Sequence, residues 1–225
     1  FGSDTLSVEE AYVVTEQARI SAKGKSDPAG TTTVYVNLPP KGIATNALIT
    51  LVDPSWDLQP GGRVEGDCVM KFNASQSSDV SLDANLVLSH VSANLGFHKR
   101  VDGLTGAVRM KGKSVNATME RAKIGDSEVS GSISISDMRR PRVDIELNFS
   151  FLDTTDFSAP PGYVSPTTWG QWIRTNPTIR FLARSVGTAN VKVSKGKTPT
   201  RPFADFQAQF EDQNGLIRAK RWHVS

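Results

Sequence analysis

The sequence predicts a mainly β fold: an antiparallel meander sheet with one apolar and one wet face, carrying a single short helical insert. Three observations predict it. Apolar and polar residues alternate strictly through most of the chain, as in "VDIELNFSF" at 143–151 and "VSLDANLVL" at 80–88. Short polar stretches such as "NASQSSD", "KRVDG", "SDMRRPR" and "EDQNG" separate these segments, the lengths expected between strands adjacent in sequence. Nothing in the pattern suggests a βαβ crossover. A strand apolar on one face must cover that face. Periodicity leaves open whether a second sheet closes over it as a sandwich or the face stays open as a groove.

The elements follow in chain order. Strands are expected at 8–22, 32–37 and 46–52. In "VEGDCVMKF" (64–72), Val64, Cys68, Met70 and Phe72 share one side. Over 80–88 the same side collects Val80, Leu82, Leu86 and Leu88, and a further strand is expected at 91–98. "LTGAVRM" (104–110) contributes Val108 and Met110, a strand follows at 115–124, and "VSGSISI" (129–135) contributes Ile133 and Ile135. The strand 143–151 places Val143, Ile145, Leu147, Phe149 and Phe151 on one face and Asp144, Glu146, Asn148 and Ser150 on the other. Beyond the insert, 187–194 presents Val191 and Val193, and strands are expected at 203–211 and 215–224.

The insert spans 165–185. Ser165-Pro166 and Asn176-Pro177 each pair a capping residue with proline at the first helical position. Trp169, Trp172 and Ile173 fall on one face of the first short helix and are expected to pack on the sheet as a cap at one end of its apolar face. Trp beside Arg also suits a membrane surface. "DTTDFSAPPGYV", ahead of the insert, is the one plausible subdomain boundary, at 154–165. Otherwise 1–225 reads as a single β-rich segment of a longer protein.

Two repeats run through the chain. Lys-Gly-Lys-Ser/Thr occurs at 23–26, 111–114 and 195–198. Its last three residues match the end of a P-loop, but the spacing to an upstream glycine is wrong, and no copy opens a helix. The triplet reads instead as three strand ends, with glycine supplying a turn. The second repeat relates 64–89 to 129–153: a strand with glycine at its third position, a polar turn, then a long alternating strand.

Catalytic and metal chemistry find little support. The single cysteine, Cys68, excludes an internal disulfide and reads as a small buried apolar residue. The three histidines, His90, His98 and His223, belong to no metal-binding or triad motif. No catalytic residue, no metal site and no cofactor are expected, so the chain is not read as an enzyme. A formal charge of +3 is too small to indicate nucleic acid, and "RRPR" and "RAKR" read as solvated strand ends.

"VDGLTGAVRMKGKSVNATMERAKIGDSEVSGSISISDMRRPRVDIELNFSFLD" (101–153) and "TANVKVSKGKTPTRPFADFQAQFEDQNGLIRAKRW" (188–222) resemble the repetitive β region of AsmA-like proteins. The resemblance covers about two thirds of the chain. It implies an elongated, curved sheet whose apolar face is a groove lined by the residues named above, and phospholipid as ligand. It also implies a periplasmic location in a Gram-negative bacterium and an inner-membrane anchor outside this segment. The function so implied is conduction of lipid between inner and outer membranes in support of outer-membrane biogenesis. It implies no catalytic residue. The rival expectation from the residues alone is a structural or adhesive β-sandwich with an unspecified protein partner.

Overall fold

The computed structural model describes residues 7–15, 18–46, 60–73, 76–94, 99–136, 141–157, 185–213 and 216–223. They form one sheet of twelve strands lying side by side in sequence order. The strands are β1 (Ser7–Thr15), β2 (Ala18–Ser26), β3 (Thr31–Ala44), β4 (Gly61–Asn73), β5 (Gln76–Ala93) and β6 (Val101–Gly112), followed by β7 (Ser114–Ile124), β8 (Ser127–Ser136), β9 (Arg142–Asp153), β10 (Val186–Lys197), β11 (Pro202–Gln213) and β12 (Leu216–His223). A 3-10 turn, Thr154–Phe157, follows β9. Strands touch substantially only their sheet neighbours. A sandwich would bring non-adjacent strands face to face, so the architecture is a single open, curved sheet, with β1 and β12 at its edges among the described strands.

Ten of the eleven neighbouring pairs are antiparallel; β9 and β10 run parallel, with Ile145 opposite Ala189 and Leu147 opposite Val191. This corrects the expectation that the chain has no crossover. Parallel neighbours cannot be joined by a hairpin, because the chain must return to the end where the first strand began. The expected insert occupies this connection, and Trp169, Trp172 and Ile173 lie outside the described residues.

Three strand limits also differ from expectation. The single strand 8–22 is two, β1 and β2, paired so that Thr15 faces Ala18. No Gly or Pro marks the break; the only local sign is the adjacent pair Val13 and Val14, which interrupts the alternation. The strand expected at 80–88 and the start of the one expected at 91–98 are instead continuous in β5, which ends at Ala93, with a register shift between Leu88 and Val91 where His90 takes φ 51°; 95–98 lie outside the described residues. A bulge absorbs the extra residue without ending the strand. Of 46–52, Asn46 stands in a helical turn and the rest lies outside the described residues.

Of the three Lys-Gly-Lys copies, the middle one behaves as expected. Gly112, at φ 59°, sits beside Lys113 in the tight turn that brings Lys111 opposite Ser114. Gly24 and Gly196 are in-strand residues of β2 and β10.

The second repeat is structural. Gly66 in β4 faces Leu86, and Gly131 in β8 faces Leu147. A Cβ on either would run into a backbone carbonyl oxygen, that of Asn85 or of Glu146, far inside van der Waals contact. Gly106 in β6 repeats the close approach against the carbonyl of Thr118. The glycine at position three therefore lets alternate strands approach their neighbours closely.

The buried side chains gather in two clusters, Ile20, Leu38, Ile43 and Val64 in one, and Val101, Ala122, Ile124, Val129, Phe149 and Val193 in the other. Both lie on the same face. Both also lie at the same end of the sheet, the end of the β7–β8 turn, called here the packed end. At the opposite, open end, Met70, Leu82, Met110 and Ile135 are only half-buried.

Candidate functional site: an uncovered apolar face

Register turns local alternation into a continuous surface. One row runs Ile43–Val64–Leu88–Gly106–Met119–Gly131–Leu147–Val191–Ala208–Trp222, each residue directly opposite the next, from β3 to β12. A second runs Leu38–Gly66–Leu86–Val108–Ala117–Ile133–Ile145–Ala189–Phe210–Ala219. A third begins at Ala11 and Ala22 and passes through Val36, Cys68, Ala84, Met110, Val115, Ile135 and Val143 to Gly187. No polar side chain interrupts any of the three. With strands ~4.8 Å apart, nine steps carry each of the first two rows roughly 43 Å across the sheet.

These rows hold most of the residues singled out from the sequence. Val64, Cys68, Leu86, Leu88, Val108, Met110, Ile133, Ile135, Val143, Ile145, Leu147 and Val191 lie within them. Met70 and Leu82 face each other on the same side, and so do Phe149 and Val193. Phe72, opposite Thr32, and Phe151, opposite Lys195, continue that side toward the two ends. Val80 stands in β5, its side chain outside the description.

Sequence reading missed several contributors. Val34 and Val36 were assigned to a strand but to no face. Ile43 follows Pro39 and Pro40, which look like a strand's end; Gly42, at φ 66°, lets β3 continue past them through a register shift. Met119 and Ala122 are separated by another bulge, so period-two counting assigns them to opposite faces.

Exposure varies along the face. At the packed end Ile43 is fully buried and Val193 nearly so, whereas Ile133 on the second row is 39% exposed. A hollow of about 360 Å³ opens on the same face at the first three strands, where Val8, Ala11, Ala22, Gly24 and Val34 line it. Small residues leave this space: Ala11, Ala22 and Gly24 project little above the sheet. Cys68 sits in the third row. Burial, then the Asp67 and Asp83 carboxylates, push its thiol above the ordinary value, so it stays protonated and weakly nucleophilic at neutral pH.

The packed end is sealed by polar chemistry that sequence reading did not find. Asp156, in the 3-10 turn, is buried and accepts hydrogen bonds from the backbone N–H groups of Asp126 and Ser127, both at 3.0 Å, and from Ser127 Oγ at 2.8 Å. Ser127 Oγ in turn accepts from the N–H of Asp153 at 2.9 Å. Asp153, also buried, pairs with Lys197 at 2.8 Å. Hydrogen bonds from Lys197 and then Thr155 hold its carboxyl at about 2. Phe157 packs edge-to-face on Phe149, with ring centroids 5.8 Å apart. The visible signal was "LDTTDF" (152–157): an Asp-rich turn directly after an apolar strand.

Among the described residues no group of three or more His, Cys, Asp or Glu side chains is arranged to hold a metal ion. No described helix is long and apolar enough to cross a membrane. No family model, curated protein or solved structure matches the chain.

Proposed function

We propose that this chain is a lipid-conducting segment that binds phospholipid acyl chains along its apolar face, working between the inner and outer membranes of a Gram-negative envelope as AsmA-like proteins do. The observation that carries the reading is the pair of unbroken apolar rows crossing β3 to β12 on a face that no second layer of described residues covers. Each methylene that leaves water for such a surface is stabilised by ~0.8 kcal/mol. The rows carry no fixed charge to grip one headgroup, so acyl chains of many lipids fit alike. Smooth aliphatic side chains in series favour sliding over tight holding. The buried Asp153, Asp156 and Ser127 close the β7–β8 corner of the packed end, and the half-exposed open end leaves room for headgroups in solvent.

Native mass spectrometry of the purified chain tests this. Phospholipid that co-purifies and leaves on delipidation is the expected result. Lipid-free protein under every membrane-extraction condition overturns the reading.

A further inference from the structure

The opposite, polar face carries a second feature, independent of the lipid reading. Across β9 to β12, two rows of polar side chains lie in register: Glu146–Asn190–Gln209–Arg221 and Asn148–Lys192–Gln207–His223. They line a hollow of about 920 Å³, with the strand backbones at Val191 and Ala208 beneath it and Trp222 at its border. That volume lies within the usual range of ligand sites.

Some polar side chains elsewhere on this face pair with one another. Ser134 donates to Asn116 at 2.8 Å, Asn85 to Asp67 at 3.5 Å and Ser150 to Glu128 at 3.2 Å. In the hollow the eight residues of the two rows make no such contact among the described residues. Lys220, also in the lining, is occupied by Glu211 at 2.7 Å. The free charges are Lys192 and Arg221 against Glu146, a formal excess of one positive charge, with His223 beside them. The four amides Asn148, Asn190, Gln207 and Gln209 offer donors and acceptors together, at the ~4.8 Å strand spacing.

We propose that this hollow binds an acidic oligosaccharide. Vicinal hydroxyls both donate and accept, which matches rows of amides, and a sugar carboxylate or sulfate matches Lys192 and Arg221. Other ligands fit less well. A peptide strand binds along a sheet edge through backbone groups; β12 borders the hollow as such an edge, but the rows of amides stand over β9 to β11, whose backbones are paired on both sides. Nucleic acid needs a denser cationic track than Lys192 and Arg221 supply. A neutral glycan leaves the two cations unused.

The test is an NMR and calorimetric titration with a short oligogalacturonate, set against maltohexaose and hexaglutamate. The expected result is shifts confined to β9–β12, with binding of the uronate well above that of either control. Lys192→Glu with Arg221→Glu should weaken the uronate about tenfold or more, through loss of charge-assisted hydrogen bonds. Asn190→Ala with Gln207→Ala should weaken it severalfold, and Asn116→Ala, outside the hollow, should leave it unchanged. The substituted positions lie on the solvent-facing side, so an unchanged melting temperature certifies the fold. Delipidation, which empties the apolar face, should not affect sugar binding, so failure here and failure of the lipid reading are told apart. Absence of shifts, hexaglutamate binding equal to the uronate, or indifference to the charge reversals overturns the proposal.

Discussion

At the scale of single residues, the sharpest contrast is between Leu147 and Glu146. One step along β9 moves the side chain through the sheet. Leu147 lies in the first apolar row between Gly131 and Val191, and Glu146 lies opposite Asn190 on the wet face. Leu147→Glu puts a carboxylate where an acyl chain would lie, and a buried unpaired charge either protonates or draws in water. A photo-crosslinking residue at 147 should capture phospholipid, and the same residue at 146 should not. Equal capture at both positions defeats the face assignment. Glu146→Lys should change stability by less than ~0.5 kcal/mol, as surface changes usually do.

Asp153 supplies a pH-dependent residue. Its carboxyl is held at about 2, against an ordinary 3.8, by the Lys197 and Thr155 hydrogen bonds. A carboxyl whose folded value is depressed stabilises the fold above its unfolded value and loses that contribution as pH falls from about 4 to about 2. Asp153→Asn should therefore melt below the parent near neutrality, and the gap should close as the pH is lowered through that window. A constant gap across the range would mean that packing, not charge, sets the effect.

At the scale of elements, the repeated glycines define a hairpin unit. In β4, β6 and β8 the third-position glycine faces a neighbouring carbonyl with which a Cβ would collide. Gly66→Ala, Gly106→Ala and Gly131→Ala should each lower stability by ~1–3 kcal/mol, read as a drop in urea midpoint. Gly112→Asn is the control: its turn has φ 59°, a conformation Asn tolerates, and nothing lies within 4 Å of where the Cβ would stand. Its midpoint should barely move. Gly66 and Gly131 were legible as a repeat and Gly106 was not, and the role of all three was hidden, because the clash involves a partner strand that comes later in the chain. The bulges at His90 and between Met119 and Ala122 were hidden for the same reason. A bulge is a property of a strand pair, and the one-residue slip it leaves in the alternation, as from Leu88 to Val91, reads equally as a strand end or a change of face.

At the scale of the whole molecule, no described residue covers the edges β1 and β12 or forms a second layer over the apolar face. Amide exchange should be slowest in the central strands, β4 to β9, and fastest in β1 and β12. Lipid that binds only the folded sheet must stabilise it. At a free concentration a hundredfold above Kd the gain is ~2.7 kcal/mol, so delipidated protein should melt at a lower temperature and recover on adding phospholipid. An unchanged melting temperature would argue against occupancy of the face.

Strand character, and which side chains share a face along an unbulged strand, were determined by the sequence itself, as in Val143 to Phe151. Alternation is imposed by the stereochemistry of one strand and needs no partner. What only the tertiary structure decided is non-local: the parallel pairing of β9 with β10, the alignment of twelve strands into unbroken rows, the openness of the sheet, and the seal of Asp153, Asp156, Ser127 and Lys197. Those four residues come from three separate stretches of chain. Their meeting depends on which strands pair, in which register, and on whether a second layer forms, and all of these are settled by contacts between distant segments.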